Sequence, residues 1–340
     1  MRKALTYDDV LLIPQYSDIK SRKEIDIGNT LHENMVLDLP VISSPMDTVS
    51  ESDMAHAMCT AGGLTIIHRY NTIGEQCKIV RNARSLIDKN QPVGAAVGVT
   101  GDYLERTLNL FDSGANVICI DVAHGHHVLV KNAIESIRSE LGNNLHIMAG
   151  NVATREGFEA IADWGADSVR CNVGGGSICS TRIQTGHGMP GLQTIFDCAQ
   201  SDREAKIIAD GGIRSSGDIV KALAAGADFV MLGSMLAGTD ASPGFVIEDS
   251  NKLKYKLYRG MASKEAQMEW RGEYSSNEGI STRIPYKGKV DTVLNDIKNG
   301  IASGFSYSGA RNITQLWTKA RFVGQTNAGL GESRTHILSK

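Results

Sequence analysis

Cys179 stands just past three glycines, in the stretch Asn172-Val173-Gly174-Gly175-Gly176-Ser177-Ile178-Cys179-Ser180-Thr181-Arg182. Consecutive glycines let backbone N–H groups approach an anion closely, and Ser177 adds a hydroxyl donor. The theme returns in Asp210-Gly211-Gly212-Ile213 and in Leu232-Gly233-Ser234-Met235. Relief of packing at tight corners would explain Gly211 but not the repeated Gly–Ser pairing, so a phosphorylated ligand is expected. Free cysteines are usually small buried hydrophobes, and Cys59, Cys77, Cys119 and Cys198 read that way. Cys179 carries a second reading. A thiol beside oriented N–H groups or a cation such as Arg182 can serve as a nucleophile, with the Thr181 hydroxyl next to it. Asp210, directly after an apolar run, suits an acceptor for ribose hydroxyls, with a helix N-cap as the alternative. Asp121 ends another apolar run before Val122-Ala123-His124-Gly125-His126-His127. Those histidines invite a metal, yet neighbours such as His126 and His127 do not easily ligate one ion, and the segment reads as a polar mouth loop.

Something must hold these loops together, and the sequence supplies it. Eight short apolar runs recur: Leu39 to Ser43, Leu64 to His68, Val93 to Val97, Val117 to Val122, Leu145 to Ala149, Ser168 to Val173, Lys206 to Ala209 and Phe229 to Leu232. Runs this short and without polar alternation suit strands covered on both faces. Between them lie helical periodicities. Ser50-Glu51-Ser52-Asp53 resembles a capping box, Thr154 and Ser216 are candidate N-caps, and Gly165 and Gly226 candidate C-terminal stops. Alternation of eight strands with helices predicts an α/β fold, a (β/α)8 TIM barrel. An open dinucleotide-binding sheet would need an early G-x-G-x-x-G turn, but the first run leads into Ser44-Pro45-Met46-Asp47. In the barrel, the loops after the strands share one end, and the chemistry falls there. Residues 1–340 are expected to form a single catalytic domain. Residues 239–288 form an active-site insertion after strand 8, with strand-like pieces near Phe245–Glu248 and Lys252–Tyr258 and a helix resuming at Val290–Ile301.

Composition narrows the class. Hydrophobic residues make up 41% and charged residues 21%, which excludes wholesale disorder. A net charge of −3 gives no electrostatic case for nucleic acid. No apolar run nears the ~20 residues that cross a bilayer, and the first residues lack a signal peptide's apolar core. A cytoplasmic enzyme without membrane partners is therefore expected. The six cysteines form no C-x-x-C pair, against zinc and against a disulfide framework.

Taken together, the motifs resemble those of the inosine monophosphate dehydrogenase/guanosine monophosphate reductase family. The likeness rests on Tyr7-Asp8-Asp9-Val10-Leu11-Leu12-Ile13-Pro14, Pro45-Met46-Asp47-Thr48-Val49, Met148-Ala149-Gly150-Asn151-Val152 and Gly176-Ser177-Ile178-Cys179. Ile208-Ala209-Asp210-Gly211-Gly212-Ile213, Tyr258-Arg259-Gly260-Met261 and Pro285-Tyr286-Lys287-Gly288 extend it across the chain. The family's tandem regulatory (CBS) insert has no room, because only Asn90-Gln91-Pro92 separates the second helix from the third strand.

The resemblance implies that Cys179 attacks C2 of a purine 5′-monophosphate. It assigns the phosphate to Ser177, Gly212, Gly233, Ser234 and Tyr258, and the ribose to Asp210. Ser44, Met46, Met261 and Glu278 would face the base. Asp121 and Arg182 are assigned to a nicotinamide cofactor, and carbonyls of Gly174, Gly176 and Cys179 to a monovalent cation, potassium. Two departures stand out: the loop lacks the family's usual Gly-Ile-Gly-Pro-Gly-Ser, and Ala262 follows Met261 where dehydrogenases commonly have glycine.

The two branches differ in what resolves the shared intermediate. Dehydrogenases hydrolyse it with an Arg-Tyr pair on a flap; here Ala262 to Asn277 is sixteen residues long and Arg271 is followed by Gly272. Glu273-Tyr274…Glu278-Gly279 and Asp121-Val122-Ala123 are reductase-like, although Ser275 replaces an arginine expected there. Glu332-Ser333-Arg334 and Ile213-Arg214 resemble the dehydrogenase. The expectation is a homotetramer performing NADPH-dependent reductive deamination of GMP to IMP and ammonia, with Cys179, Thr181 and Glu278 as catalytic residues. IMP dehydrogenase, taking IMP to XMP with NAD, is the alternative.

Overall fold

The computed structural model describes residues 3–32, 34–89, 91–274 and 277–335. All eight apolar runs form parallel strands of one closed barrel. In barrel order they are strand 1 (Val41–Ser43), strand 2 (Leu64–Ile67), strand 3 (Gly94–Val97), strand 4 (Val117–Asp121), strand 5 (His146–Val152), strand 6 (Ser168–Cys171), strand 7 (Lys206–Asp210) and strand 8 (Phe229–Leu232). Strand 8 returns to strand 1, with Leu232 beside Ser43. Every residue of strands 1, 2, 3, 6 and 8 is buried, the reason these runs lack polar alternation.

Two apolar layers hold the barrel. Inside it, Ile42, Ile66, Met148, Ile208, Phe229 and Met231 interlock, each at most 1% exposed. The hairpin Asn29–His32/Met35–Leu37 closes the N-terminal end by adding Leu31 and Leu37 to that cluster. Outside, the helices pack their apolar faces on the strands. Caps fix several helix starts. Thr154 Oγ1 accepts from Gly157 N–H at 3.1 Å, as expected. The helix after strand 7 (Ser216–Ala224) is capped by Ser215, one residue earlier than expected. The capping box at Ser50 is absent: Glu51 is the N-cap and makes no side-chain cap bond. Ser50 instead donates to Ser44 O at 2.6 Å and pairs with Ser43 Oγ, because burial at the end of strand 1 leaves its hydroxyl only those partners. Gly165 and Gly226 follow their helices at φ of 106° and 112°, where a Cβ would be strained.

Residues 239–288 are more regular than the sequence suggests. Ile247–Glu248, Lys254–Arg259 and Ser281–Pro285 form an antiparallel sheet, with the helix Lys264–Arg271 between its last two strands. Two lysines tie the insertion down, one to its own first residues and one to the loop after strand 8. Lys256 Nζ, almost fully buried, donates to Thr239 O at 3.1 Å and to Ser242 O. Lys287 Nζ donates to Met235 O at 3.2 Å and to Ser234 O. The eighth helix runs Val290–Tyr307, longer than expected. At the termini, Val10–Leu12 pairs antiparallel with Phe322–Gly324, a contact invisible to local periodicity. No helix among the described residues is long and apolar enough to cross a membrane.

Candidate active site

A cleft of about 690 Å³ opens at the C-terminal end of the barrel, and every site residue named from the sequence lines it. That size is typical for small-molecule sites, about 300–1,000 Å³.

The loop after strand 6 supplies the nucleophile candidate. Cys179 is half-buried, while the five other cysteines are buried. Its thiol donates to the Thr181 hydroxyl at 3.1 Å, and its N–H donates to Gly176 O at 3.1 Å, curling the glycine loop back on itself. The loop is stitched to the insertion as a short antiparallel pair. Ser180 N–H donates to Glu278 O at 2.9 Å, and Ile280 N–H donates to Ile178 O at 3.0 Å. Glu278 N–H and Gly260 N–H in turn bond Ala262 O and Ile280 O, at 3.1 and 2.9 Å. Glu278 thus stands directly across from the segment that carries Cys179 and Thr181. Met261 Sδ lies 3.5 Å from Asp47 N, joining the insertion to the loop of strand 1.

The candidate anion cradle comes from the loops after strands 6, 7 and 8, with Tyr258 from the insertion. Gly211 and Gly212 adopt φ of 87° and 79°, a conformation open to glycine and costly for other residues. Ser177 Oγ and Tyr258 Oη are 3.3 Å apart. A Cβ on Gly233 would stand 3.2 Å from Tyr258 Oη, 3.3 Å from Met46 Sδ and 3.5 Å from Ser44 Oγ. These residues therefore converge around one small space, beside Gly212 and Ser234. Burial pushes the Tyr258 phenol up from its ordinary range, partly opposed by the bond from Ser177, so it remains an O–H donor.

The two aspartates are held by a residue that the sequence reading missed. Arg170, on strand 6, donates from Nη1 to Asp121 Oδ1 at 2.5 Å, and from Nε and Nη2 to Asp210 Oδ2 at 3.2 and 2.9 Å. Asn151 Nδ2 adds a bond to the same Asp210 oxygen at 2.8 Å. Burial works against the Arg170 charge, but Asp210, Cys119 and Asp121 outweigh it and hold the guanidinium firmly protonated. Asp210 is no helix cap, and its Oδ1 has no protein partner among the described residues. The available signal was a lone arginine inside the otherwise apolar Ser168–Cys171 run.

Further lining residues escaped notice. Tyr7 reaches the cleft because Lys221 Nζ holds its carbonyl at 2.8 Å and the terminal strand pair anchors its segment. Arg69, Tyr70, Trp270 and Arg271 stack at the cleft's other end: Arg69 lies 5.0 Å from the Tyr70 ring, and Arg271 4.5 Å from Trp270. Arg69 Nε is buried without a hydrogen-bond partner among the described residues, 3.9 Å from Asp121 Oδ2. Arg182 lines the cleft, but its guanidinium is engaged by Val173 O at 3.2 Å and by Met189 O, so it braces the glycine loop. His127 Nδ1 accepts from Leu129 N–H at 3.1 Å as a helix cap. Ser275 lies outside the described residues.

A half-buried thiol on a glycine-rich loop, converging glycine turns and guanidinium-fixed carboxylates gather at the barrel end where (β/α)8 enzymes carry their chemistry. Comparison with known proteins narrows that class. The sequence model of the IMP dehydrogenase / GMP reductase domain matches residues 4–336. An inosine-5′-monophosphate dehydrogenase of Nitrosopumilus maritimus (strain SCM1) is 34% identical, with 98% of each chain covered. A GMP reductase of Leishmania major is 32% identical, over 99% of this chain and 98% of that one. Their alignments span 472 and 481 positions against 340 residues here, so both relatives carry segments this chain lacks. Among solved structures, a Cys-to-Ala variant of GMP reductase from Trypanosoma brucei in complex with guanosine 5′-monophosphate superposes with a TM-score of 0.93. It is 32% identical and covers 99% of this chain and 98% of its own. The chain belongs to the IMP dehydrogenase/GMP reductase family of oxidoreductases.

Proposed function

We propose that this enzyme is a GMP reductase, converting GMP to IMP and ammonia with NADPH through a covalent intermediate on Cys179. The observation that carries the reading is the Cys179 thiol against the Thr181 hydroxyl, with Glu278 bonded across the same loop. Cys179 Sγ forms a bond to purine C2, and the C2–amine bond breaks as the amine leaves protonated. Thr181 and Glu278 handle that proton. Ser177, Gly212, Gly233, Ser234 and Tyr258 hold the 5′-phosphate by charge-assisted hydrogen bonds, with Ser44, Met46 and Met261 beside the base. Asp210 receives the ribose through its free Oδ1.

A nicotinamide dinucleotide fits the remaining half of the cleft. Asp121 presents a carboxylate there that Arg170 orients, and Arg69 Nε, without a hydrogen-bond partner among the described residues, would donate to the dinucleotide. When bound, the dinucleotide supplies the hydride that replaces sulfur at C2. Arg182 steadies the loop beneath. A potassium ion at the carbonyls of Gly174, Gly176 and Cys179 and a homotetramer complete the reading. The exposed Phe245, Val246 and Leu253 of the insertion support the assembly, because solitary chains seldom display such neighbours.

One feature favours IMP dehydrogenase as the second reading: Arg271 lines the cleft and could face a water. The deciding experiment follows nicotinamide absorbance with GMP plus NADPH beside IMP plus NAD, with ammonia measured in parallel. NADPH oxidation matched by ammonia release is expected. Robust NADH formation from IMP, dependent on Arg271, overturns the reading.

A further inference from the structure

Arg170 does more than neutralise a neighbour. Among the described residues it is the one cation in direct contact with both Asp121 and Asp210, and the three side chains are only 8%, 16% and 14% exposed. Each aspartate gives one oxygen to the guanidinium, Oδ1 of Asp121 and Oδ2 of Asp210. We propose that Arg170 is a positioning residue that couples the two nucleotide subsites, keeping both ribose-facing carboxylates aimed at once. This inference rests on the functional reading above for what the two carboxylates hold.

No other side chain among the described residues bridges the two carboxylates. Around Asp121 stand Arg69, whose Nε is 3.9 Å away, Tyr70, and the thiol of Cys119, itself 3.5 Å from Arg170 Nη1. Around Asp210 stand Asn151 and the uncharged hydroxyls and thiol of Tyr7, Tyr258 and Cys171. Without Arg170, Asp210 keeps only the Asn151 amide among the described residues, and Asp121 keeps Arg69, whose Nε is 3.9 Å from Oδ2. Each carboxylate loses the charge-assisted bond that fixes one of its oxygens, so the other oxygen is no longer aimed and affinity for both nucleotides falls together.

The test measures Kd of GMP and of NADPH by calorimetry for wild type, Arg170→Gln and Arg170→Lys, with a thermal melt of each. Arg170→Gln should weaken both ligands by at least ~10-fold, because each carboxylate loses a charge-assisted hydrogen bond. Arg170→Lys keeps the charge but not the fork, so it should recover part of the affinity for both ligands. It also serves if Arg170→Gln does not fold. A loss confined to one ligand, or a lysine variant that binds no better than the glutamine variant at equal thermal stability, overturns the proposal. Wild type that binds neither ligand marks failure of the functional reading, whereas wild type that binds both beside variants that bind them equally well marks failure of the coupling alone.

Discussion

Gly279 is the point where the insertion grips the nucleophile loop, and Gly279→Ala should therefore slow chemistry more than it weakens binding. A methyl there would stand 3.0 Å from Ser263 N, and 3.3 Å from both Ala262 C and Gly260 Cα. All three are backbone atoms that cannot rotate away, so the strand must lift by a few tenths of an ångström. Two backbone bonds cross directly from that segment to the loop, Ser180 N–H to Glu278 O at 2.9 Å and Ile280 N–H to Ile178 O at 3.0 Å. Straining both forfeits part of ~0.5–1.5 kcal/mol each, so stability should drop by about 1–2 kcal/mol. In a chain this size that is a Tm decrease of roughly 1–3 °C. A reacting atom misplaced by ~1 Å can cost ~100-fold, so a partial shift of Cys179 predicts a kcat lower by about 10–100-fold. Kd for GMP should stay within about fivefold, because Gly212 and Gly233 lie on other loops. The assay pairs steady-state nicotinamide absorbance with calorimetric GMP binding and a thermal melt. Gly74→Ala is the control: nothing lies within 4 Å of that Cβ, and the helix Ile73–Leu86 should gain up to about 1 kcal/mol. A kcat within twofold of wild type, or equal losses in kcat and binding, would refute the reasoning.

Cys179→Ala should abolish turnover while keeping GMP affinity within about tenfold, a difference of ~1.4 kcal/mol; measurable turnover contradicts the nucleophile role. Guanosine should bind at least about a hundredfold more weakly than GMP, since each lost charge-assisted bond is worth ~1.5–3 kcal/mol. Equal calorimetric affinities would remove the phosphate cradle from the site. Glu278→Gln should lower kcat by about 10²–10⁴ if the carboxyl handles the proton, whereas a rise in KM with unchanged kcat assigns it to binding alone. His146 gives a stability signature in acid: burial pushes its pKa down to about 4, only partly opposed by Asp167. Its folded value lies below the unfolded one, near 6.5, so between those values the unfolded chain binds a proton that the native state refuses. Stability should fall as pH drops from about 6.5 to about 4, by roughly 3 kcal/mol from this group. His146→Gln should remove that share of the slope in denaturant titrations while keeping a partner for Ser168 Oγ; an unchanged acid slope refutes the assignment.

The strand-rich half of the fold was legible because burial on both faces leaves a mark on composition. Val117-Ile118-Cys119-Ile120 and Phe229-Val230-Met231-Leu232 have no polar alternation, and only a covered parallel sheet tolerates that. The insertion was harder. Ser281-Thr282-Arg283-Ile284-Pro285 is half-exposed and ends in proline, so its local pattern argues for a loop, yet it pairs along its whole length with Lys254–Arg259. Ser50 shows the converse: it has the residue type of a helix cap, and burial beside strand 1 gave its hydroxyl another partner.

By itself the sequence determined the repeating strand–helix alternation, the glycine turns at the strand ends and the exceptional setting of Cys179. Each of these is written in a window of a few residues, through burial, backbone freedom or side-chain chemistry. Tertiary structure alone decided which of those windows meet. Arg170 reaches Asp121 across 49 residues and Asp210 across 40. Tyr7 enters the site because strands more than three hundred residues apart pair with each other. Barrel closure supplies the physical reason: it brings the ends of strands 4, 6 and 7 around one axis in a register set by side-chain packing inside the barrel. No periodicity along the chain encodes that register, so the aspartates could be named from the sequence, but the arginine that joins them could be recognised only in the folded molecule.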